Sequence, residues 1–528
     1  MVKKLPTLPI GQADFSTLRK SGRLYVDKTD LLTKLILEGD YYFLSRPRRF
    51  GKSLTISTLK AMFFGKHDLF NGLAAEHWVR EQSEHPSPVL HLDLSAFGDI
   101  ESPKKFDQGL RYALQSFAAR YKLSLPAEDD CDLLLFLVLE AVHQTSSQVV
   151  MLIDEYDYPL LNCLDDVQKL ASLRKRLRGF YTVIKACAEH LRFVFITGIS
   201  KFTKTGIFSA MNNLIDISME ETYAALTGYT QQELENNFSF FIEDALHKNI
   251  AQTKAELLYK IKSYYDGFSF DGKTKVYNPF SILNFFRKYT FSNYWYESGS
   301  STFMETYCKT HNIESPEKYH FISVPKTKMA AREIEKTDPE ILLFQAGYLT
   351  IAQDRGDTVL LDYPNQEVLS ALSEMYLQAI YTIPDYHDVG KRLWEAVYQA
   401  DLPALIREYN AAIAALPYHD FSQDKHRQQR DESFYRSLFL MLLRGCGLQA
   451  HAEMPTCRGR SDVVIACPQR ILVIEWKLAK NATEIAAKRR EGEEQIRSQG
   501  YLEPYAASSI PVNSAVFVVD AQKRQLVL

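Results

Sequence analysis

The sequence predicts an α/β fold: a parallel sheet with flanking helices at the N-terminus, a mostly helical middle region, and a smaller α/β domain at the C-terminus. Short apolar segments alternate with segments of helical periodicity over residues 1–215, which is typical of buried parallel strands and their connecting helices. From about residue 216 the composition shifts to polar helical patterns. Near the C-terminus, two apolar runs flank a short turn that contains a proline, which indicates a strand hairpin.

The length of the chain favours several domains. At 528 residues it exceeds the roughly 250–300 residues at which single cores stop growing. With 46% hydrophobic and 24% charged residues, the composition is that of an ordinary globular protein. We expect three domains, at residues 1–215, 216–415 and 416–528.

The charge and the cysteine pattern narrow the classes of function. A net charge of −3 shows no overall basic bias, so contact with nucleic acid requires local patches. The seven cysteines are scattered and lack a CxxC pair, which argues against a disulfide framework or a zinc site. No uncharged apolar run approaches the roughly 18 residues of a membrane helix. We therefore expect a cytoplasmic protein that does not cross a membrane.

The elements of the N-terminal domain alternate in a regular order. Apolar runs predict strands at 41–44, 86–94, 149–153 and 192–197. Helical spacing of apolar residues predicts helices at 31–38, 105–121, 132–143 and 174–190, and directly after Ser53. In the middle region, a strand pair is expected near 349–352 and 358–362. Helical crossovers between strands are what a parallel sheet requires.

The first strand leads into a basic turn that ends in Gly51-Lys52-Ser53 at the start of a helix. In such a turn, backbone N–H groups and the helix N-terminus face nucleotide phosphates, and the lysine reaches the terminal phosphates. The P-loop pattern begins with glycine six residues before the lysine, where this chain has Arg46. An ordinary basic turn is the alternative. We interpret the turn as an ATP-binding loop formed by Arg48, Arg49, Phe50, Gly51, Lys52, Ser53 and Leu54.

The strand at 149–153 leads directly into Asp154-Glu155, the acidic pattern that accompanies a P-loop. We expect Asp154 to bind Mg²⁺ together with the hydroxyl of Ser53, and Glu155 to polarise the attacking water. Thr197 or Ser200, at the end of the next strand, is expected to lie near the γ-phosphate, and we select Ser200 as the binding residue. Acids that merely cap a strand end are the alternative. Together with the turn, this pair predicts ATP hydrolysis with Mg²⁺ as cofactor.

A second group of polar residues lies at the C-terminal hairpin. Asp462 lies near the start of the first strand, and Glu475 and Lys477 share one face of the returning strand, with Trp476 on the other. Clustered carboxylates at the end of an apolar strand are costly unless they hold a cation, and their hard oxygens suit Mg²⁺. We predict metal ligation by Asp462 and Glu475, with Lys477 orienting water or stabilising developing charge. A surface Glu–Lys pair is the alternative.

The spacing of these three residues resembles that of the PD-(D/E)XK nuclease superfamily, although Ser461 stands where that group often has proline. A preceding helix at 431–443 carries Glu432, which could face the site. A following helix carries Gln495 and ends near Tyr501, which is similar to an element of several nucleases in this group.

The chain as a whole resembles a bacterial family with an N-terminal AAA-ATPase-like domain and a C-terminal PD-(D/E)XK nuclease-like domain. The segments that carry the resemblance are 45–54, 152–157, 197–201, 265–268, 276–279, 344–349 and 363–368, with Asp462, Glu475 and Lys477. The resemblance implies an AAA-like P-loop NTPase fold, a helical lid and middle region, and a restriction-endonuclease-like domain.

Our leading hypothesis is an ATPase coupled to Mg²⁺-dependent cleavage of nucleic acid, with DNA favoured over RNA. Its catalytic residues are Glu155, Asp462, Glu475 and Lys477. An alternative is an ATP-dependent switch or scaffold whose nuclease-like domain only binds partners or nucleic acid. In this alternative the ATPase domain controls assembly into a homo-oligomer. A small-molecule kinase is a weaker alternative, because a kinase does not need the water-polarising acid that Glu155 supplies.

Overall fold

The computed structural model describes residues 5–98, 100, 102–124, 130–163, 166–201, 211, 213–297, 305, 308, 315–329, 337–383, 385–416, 431–467 and 469–527. The chain divides into two compact units. The first contains Met1–Trp295 and Phe321–Asn365, and the second contains Tyr296–His320 and Gln366–Leu528. The middle region expected at 216–415 is shared between these units, and the three-domain division stays a prediction.

The first unit is built on a five-stranded sheet in which every pairing is parallel. Its strand order is β2-β3-β4-β1-β5, and its strands are Tyr41–Ser45 (β1), Val89–Asp93 (β2), Val149–Asp154 (β3), Leu191–Gly198 (β4) and Ile215–Asp216 (β5). Every residue of β1 and β3 is buried, as their uninterrupted apolar sequences predict. The predicted parallel sheet is therefore confirmed.

Helices pack against this sheet, and further helices follow it with an apolar cluster of their own. Those up to residue 346 are Phe15–Lys20 (α1), Thr29–Glu38 (α2), Lys52–Phe63 (α3), Glu76–Gln82 (α4), Pro103–Arg120 (α5), Cys131–Thr145 (α6), Tyr158–Leu161 (α7), Val167–Ala186 (α8), Gln231–Asn237 (α9), Ser239–His247 (α10), Lys254–Tyr265 (α11), Pro279–Lys288 (α12), Tyr294–Glu297 (α13), Lys326–Met329 (α14) and Pro339–Ala346 (α15). Several of these helices begin with a side-chain cap. The Asp130 side chain, for example, accepts from the backbone N–H groups of Asp132 and Leu133 at the start of α6.

A small antiparallel sheet completes the first unit. Its strands are Ile322–Pro325 (β6), Thr350–Asp354 (β7) and Thr358–Asp362 (β8), in the order β6-β8-β7. The pair β7 and β8 confirms the predicted strand pair. Strand β6 is an addition that the sequence did not reveal, since only four residues make it.

The second unit contains a mixed five-stranded sheet in the order β13-β12-β11-β10-β9. Its strands are Gln449–Pro455 (β9), Arg460–Cys467 (β10), Arg470–Ala479 (β11), Val512–Asp520 (β12) and Gln525–Val527 (β13). Strands β11 and β12 are parallel, and the other neighbours are antiparallel. The helices of this unit from residue 366 on are Gln366–Met375 (α16), Tyr386–Gln399 (α17), Leu402–Ala414 (α18), Glu432–Gly445 (α19) and Ile485–Ser498 (α20).

Apolar side chains pack on both faces of the sheet in the second unit. On one face, a valine-rich cluster packs against Ile496 of α20. Trp476 on β11 is fully buried, and its ring packs against those of Tyr409, Phe439 and Phe517. The neighbours of Trp476 in the strand therefore point to the opposite face. In the described part of the chain, no helix combines the length and the apolar character needed to span a membrane.

Candidate functional site

The turn after β1 closes around the amino group of Lys52. Gly51 caps the N-terminus of α3 with a left-handed φ of 90°, which favours glycine. Lys52 begins the helix, is 4% exposed, and donates from Nζ to the carbonyl oxygens of Arg46 and Pro47, each at 3.1 Å. The turn thus has the strand–loop–helix geometry in which backbone N–H groups and a lysine face phosphates.

The side chain of Arg46 is buried rather than part of the phosphate-facing surface. It is 1% exposed, and its guanidinium carbon lies 4.0 Å from the ring centroid of Phe270. The guanidinium donates to the carbonyl oxygens of Ser45, Ser218 and Tyr223 and to the hydroxyl of Thr227. Burial lowers the pKa of Arg46 to about 9, against the opposing charges of Asp216 and Asp271. Arg46 therefore fastens the loop to later segments of the first unit.

Aromatic side chains cover the outside of the loop. The ring of Phe50, itself 1% exposed, lies 4.8 Å from Phe268 and 5.6 Å from Phe270. Exposed Arg49 lies over the ring of Phe280 at 4.9 Å. The backbone carbonyl of Arg48 accepts from the indole N–H of Trp295 at 3.3 Å, while Leu54 packs against the apolar core. The loop is supported by residues far downstream in sequence.

The acidic pair after β3 lies next to the loop. Asp154 is 2% exposed, and the hydroxyl of Ser53 donates a hydrogen bond to its carboxylate. Burial raises the pKa of Asp154 to about 6, and the Ser53 hydroxyl opposes that shift. Glu155 has a left-handed φ of 50°, and its Oε1 lies 3.9 Å from Lys52 Nζ. The structure therefore brings together Lys52, Ser53, Asp154 and Glu155.

A further carboxylate, that of Asp157, lies behind this pair. It is fully buried, and its Oδ2 accepts from the backbone N–H of Ile199 at 3.0 Å and of Ser200 at 2.7 Å. The hydroxyl of Ser200 donates to the same oxygen at 2.6 Å. Burial and the charge of Glu155 raise the pKa of Asp157 to about 6. Asp157 links the turn after β3 to the end of β4, and nucleotide binding by Ser200 stays a prediction.

In the second unit, the hairpin of β10 and β11 brings Asp462, Glu475 and Lys477 together. Lys477 Nζ lies 2.6 Å from Glu475 Oε1 and donates to the carbonyl of Trp476 at 3.1 Å. Asp462 Oδ2 accepts from the backbone N–H of Trp476 at 2.7 Å, which places this carboxylate beside β11. Asp462 Oδ1 accepts from Arg436 NH1 at 2.6 Å.

Glu475 is the most deeply buried member of this group. It is 1% exposed, and no donor among the described residues reaches its Oε2. Burial and the charge of Asp462 raise its pKa to about 7, against the opposing effect of Lys477. Burial alone would lower the pKa of Lys477, but the carboxylates around it raise the value overall. A buried carboxylate oxygen without a donor, next to a second carboxylate, fits a divalent cation.

Two flanking elements interact electrostatically with this site. Burial and then the charge of Asp462 raise the pKa of Glu432 on α19. Gln495 Nε2 donates to the hydroxyl of Tyr501 at 3.0 Å, and the pKa of Tyr501 is raised by burial and then by Glu475 and Asp462. That the Glu432 carboxyl faces the site stays a prediction.

Each of the two sites offers few protein ligands to a metal. Among the described residues, no three His, Cys, Asp or Glu side chains group as metal ligands. The first site offers Ser53 and Asp154, and the second offers Asp462 and Glu475. These oxygen pairs fit Mg²⁺, which keeps several waters and is usually held by one or two carboxylates together with substrate phosphates.

Sequence reasoning missed two residues of these sites. Asp157 lies three residues after Asp154, and its acidic character was visible, but its partner Ser200 is 43 residues away. Arg436 pairs with Asp462, 26 residues further along the chain. A helical spacing of four from Glu432 was the one signal that could have placed Arg436 on the same face.

Comparisons with known proteins agree with this geometry. Residues 9–208 match the family model described as "Predicted AAA-ATPase", and residues 430–527 match the model of the PD-(D/E)XK nuclease superfamily. The chain is 31% identical over 517 residues to a protein of Azotobacter chroococcum mcd 1 described as "Uncharacterized protein in vnfD 5'region", covering 96% of this chain and 95% of that protein.

Among solved structures, the crystal structure of Cdc6p from Pyrobaculum aerophilum is similar at a TM-score of 0.21 and 10% identity. The match covers 67% of this chain and 92% of that chain. At so low a TM-score the likeness carries no argument, and the fold assignment rests on the sheets described above and on the family models.

Proposed function

This chain belongs to the bacterial family that joins a predicted AAA-ATPase domain to a PD-(D/E)XK nuclease superfamily domain, and from that premise we propose that it couples ATP hydrolysis to Mg²⁺-dependent cleavage of nucleic acid. DNA is the favoured substrate. The observation that carries the proposal is that each unit places a lysine beside a buried carboxylate: Lys52 lies next to the pair Asp154-Glu155, and Lys477 lies next to Glu475.

In the first unit, the chain's own groups suit a triphosphate. The ammonium of Lys52 now donates to two loop carbonyls, and a phosphate would offer it a charged acceptor instead. Arg48, Arg49, Phe50, Gly51, Ser53 and Leu54 supply the surrounding turn. Ser53 and Asp154 would hold Mg²⁺, which neutralises developing phosphate charge when bound. Glu155 would orient the attacking water, and Ser200 would contact the terminal phosphate.

In the second unit, Asp462 and Glu475 would hold Mg²⁺, which lowers the cost of charge on the scissile phosphate. Lys477 stands beside Glu475 and would orient the attacking water or donate to the developing oxyanion. Burial and the charge of Asp462 raise the pKa of Glu475, and a bound cation would oppose that shift and favour the ionised carboxylate.

A panel of full-length variants tests this proposal. Wild type, Lys52→Ala and Asp462→Ala are assayed for ATP turnover and for cleavage of single- and double-stranded DNA and RNA, with Mg²⁺ or Mn²⁺, with and without ATP. We expect Lys52→Ala to lose ATP turnover by roughly 100-fold or more, and Asp462→Ala to lose cleavage while keeping ATP turnover.

The panel also separates the alternative. Protein that cleaves no form of nucleic acid under any of these conditions would refute the nuclease half. Slow ATP turnover with a nucleotide-dependent change of mass in light scattering would instead favour an ATP-dependent scaffold.

A further inference from the structure

An arginine outside the motif residues completes the nuclease site. Arg436 on α19 and Asp462 on β10 form an ion pair of 2.6 Å, and both side chains are 17% exposed. The pair therefore lies at the accessible edge of the site and not in the core. Glu432 lies one helical turn earlier on α19, and its carboxyl interacts electrostatically with Asp462 and Lys477.

Arg436 donates to the Asp462 oxygen that the backbone N–H of Trp476 leaves open. Asp462 Oδ2 accepts from the backbone N–H of Trp476, and Oδ1 accepts from Arg436, so both oxygens have a donor. A divalent cation on Asp462 would lie within a few ångströms of the guanidinium. Like charges at that separation repel strongly at the edge of a protein. Arg436 and a divalent cation therefore compete for Asp462.

The charges of the site indicate which ligand would allow Arg436 to release Asp462 to a divalent cation. Three carboxylates, those of Glu432, Asp462 and Glu475, face two cations, Arg436 and Lys477, which leaves one net negative charge when all are ionised. A divalent cation would turn this into one net positive charge, which a phosphodiester balances. The planar guanidinium binds a phosphate as readily as a carboxylate. Substrate phosphate therefore offers Arg436 a second partner.

We propose that Arg436 is a phosphate-binding residue that exchanges partners: it holds Asp462 in the absence of substrate and transfers to the scissile phosphate of DNA, leaving Asp462 Oδ1 to Mg²⁺. This inference rests on the proposed nuclease function. It requires that metal and DNA each strengthen the binding of the other, since both favour the same arrangement of Arg436. In that arrangement Arg436 touches substrate and is a catalytic residue of the site.

Calorimetric titration of MnCl₂ into the full-length protein tests the exchange, with and without a short phosphorothioate DNA duplex that resists cleavage. Asp462→Asn identifies the heat that belongs to this site. Arg392→Gln is the matched control, since Arg392 forms an equally short ion pair with Glu408 on the surface of the same unit. Without DNA, we expect Arg436→Gln to bind Mn²⁺ roughly tenfold more tightly than wild type. We expect DNA to tighten Mn²⁺ binding in wild type and in Arg392→Gln only.

Arg436→Lys provides a second variant if Arg436→Gln folds poorly. It keeps the positive charge but loses the planar fork, so we expect Mn²⁺ affinity near that of wild type and roughly tenfold weaker binding of the duplex. If wild type binds Mn²⁺ and Arg436→Gln binds it with the same or lower affinity, the proposed exchange of partners is wrong, while the nuclease site still stands. A different result would overturn the nuclease site itself. In that case, neither wild type nor either Arg436 variant would show Mn²⁺ binding that depends on Asp462, with or without DNA.

Discussion

Asp157 and Ser200 are joined by two hydrogen bonds to one oxygen: Asp157 Oδ2 accepts both the backbone N–H and the hydroxyl of Ser200, at 2.7 and 2.6 Å. The other carboxylate oxygen, Oδ1, is buried and has no donor among the described residues. The turn that carries Asp154 and Glu155 is thereby held to the end of β4. Such a buried acid gives folding a dependence on pH.

We expect Asp157→Asn to flatten the dependence of stability on pH. The pKa of Asp157 is about 6 in the folded protein and 3.8 in its ordinary state, so the folded protein binds this proton more tightly. Its contribution to stability is complete below about pH 4 and is lost as pH rises through about 6. Asparagine cannot titrate, so the variant should lose less stability over that range.

Thermal melting between about pH 4 and pH 7 measures this effect. Asp68→Asn, with a side chain that is 86% exposed, is the control and should keep the profile of wild type. A profile of Asp157→Asn that matches wild type would contradict the assignment.

Arg46→Gly completes the P-loop pattern in the sequence, yet we expect it to destabilise the protein. It removes the donors that satisfy three buried carbonyl oxygens and the cation over Phe270. Residue 46 is not among those with a positive φ, so glycine is not required there. The Tyr223 oxygen keeps the backbone N–H of Leu226 as a donor, which leaves the other two acceptors. Unsatisfied buried acceptors cost about 1–3 kcal/mol each, so we expect a loss of about 2 kcal/mol or more.

Urea unfolding together with ADP titration tests this prediction. Arg23→Gly, at a partly buried position outside the loop, controls for the added backbone freedom. An Arg46→Gly protein that is as stable as wild type and binds ADP more tightly would contradict this prediction. It would show that the glycine of the P-loop pattern matters more than the buried contacts of Arg46.

Glu155→Gln should separate nucleotide binding from hydrolysis. Glutamine keeps the size of the side chain and the nearby Lys52 is untouched, but the amide cannot polarise water as a carboxylate does. We expect ATP turnover to fall roughly 100- to 10,000-fold while ATP affinity stays within about threefold. Glu189→Gln, with a side chain that is 77% exposed, should leave both unchanged. Equal loss of affinity and turnover would argue for a structural role of Glu155.

Lys477→Met should abolish cleavage and leave ATP turnover intact. The methionine keeps the length of the buried stem but removes the ammonium that contacts Glu475. Loss of a charged donor at a reacting phosphate costs roughly 100-fold or more. Lys480→Met, three residues along and exposed, is the matched control and should cleave as wild type does. Cleavage by Lys477→Met at the rate of wild type would remove Lys477 from the mechanism.

Local sequence patterns accounted for much of this fold. The apolar runs of β1 and β3 and the glycine of Gly51-Lys52-Ser53 predict a buried strand, a left-handed turn and a helix start, because each depends on neighbours in sequence. The alternation around Trp476 likewise predicts which side chains share a face.

Long-range partners were not predictable in this way. The role of Arg46 depends on Ser218, Tyr223 and Phe270, which lie more than 170 residues downstream. The pairing of Arg436 with Asp462 depends on how α19 packs against the sheet, a tertiary property that helical periodicity does not specify.

The aromatic side chains that pack on the loop of residues 46–53 also limit how the chain can be cut. A fragment that ends at residue 215 would lack Phe268 and Phe270, leaving the ring of Phe50 and the guanidinium of Arg46 without their packing partners. Newly bared apolar surface promotes aggregation. We expect that fragment to be recovered in inclusion bodies, and one that ends at Asn365 to be recovered from the supernatant. A fragment chosen by motif boundaries alone would therefore lack the residues that pack against the loop of residues 46–53.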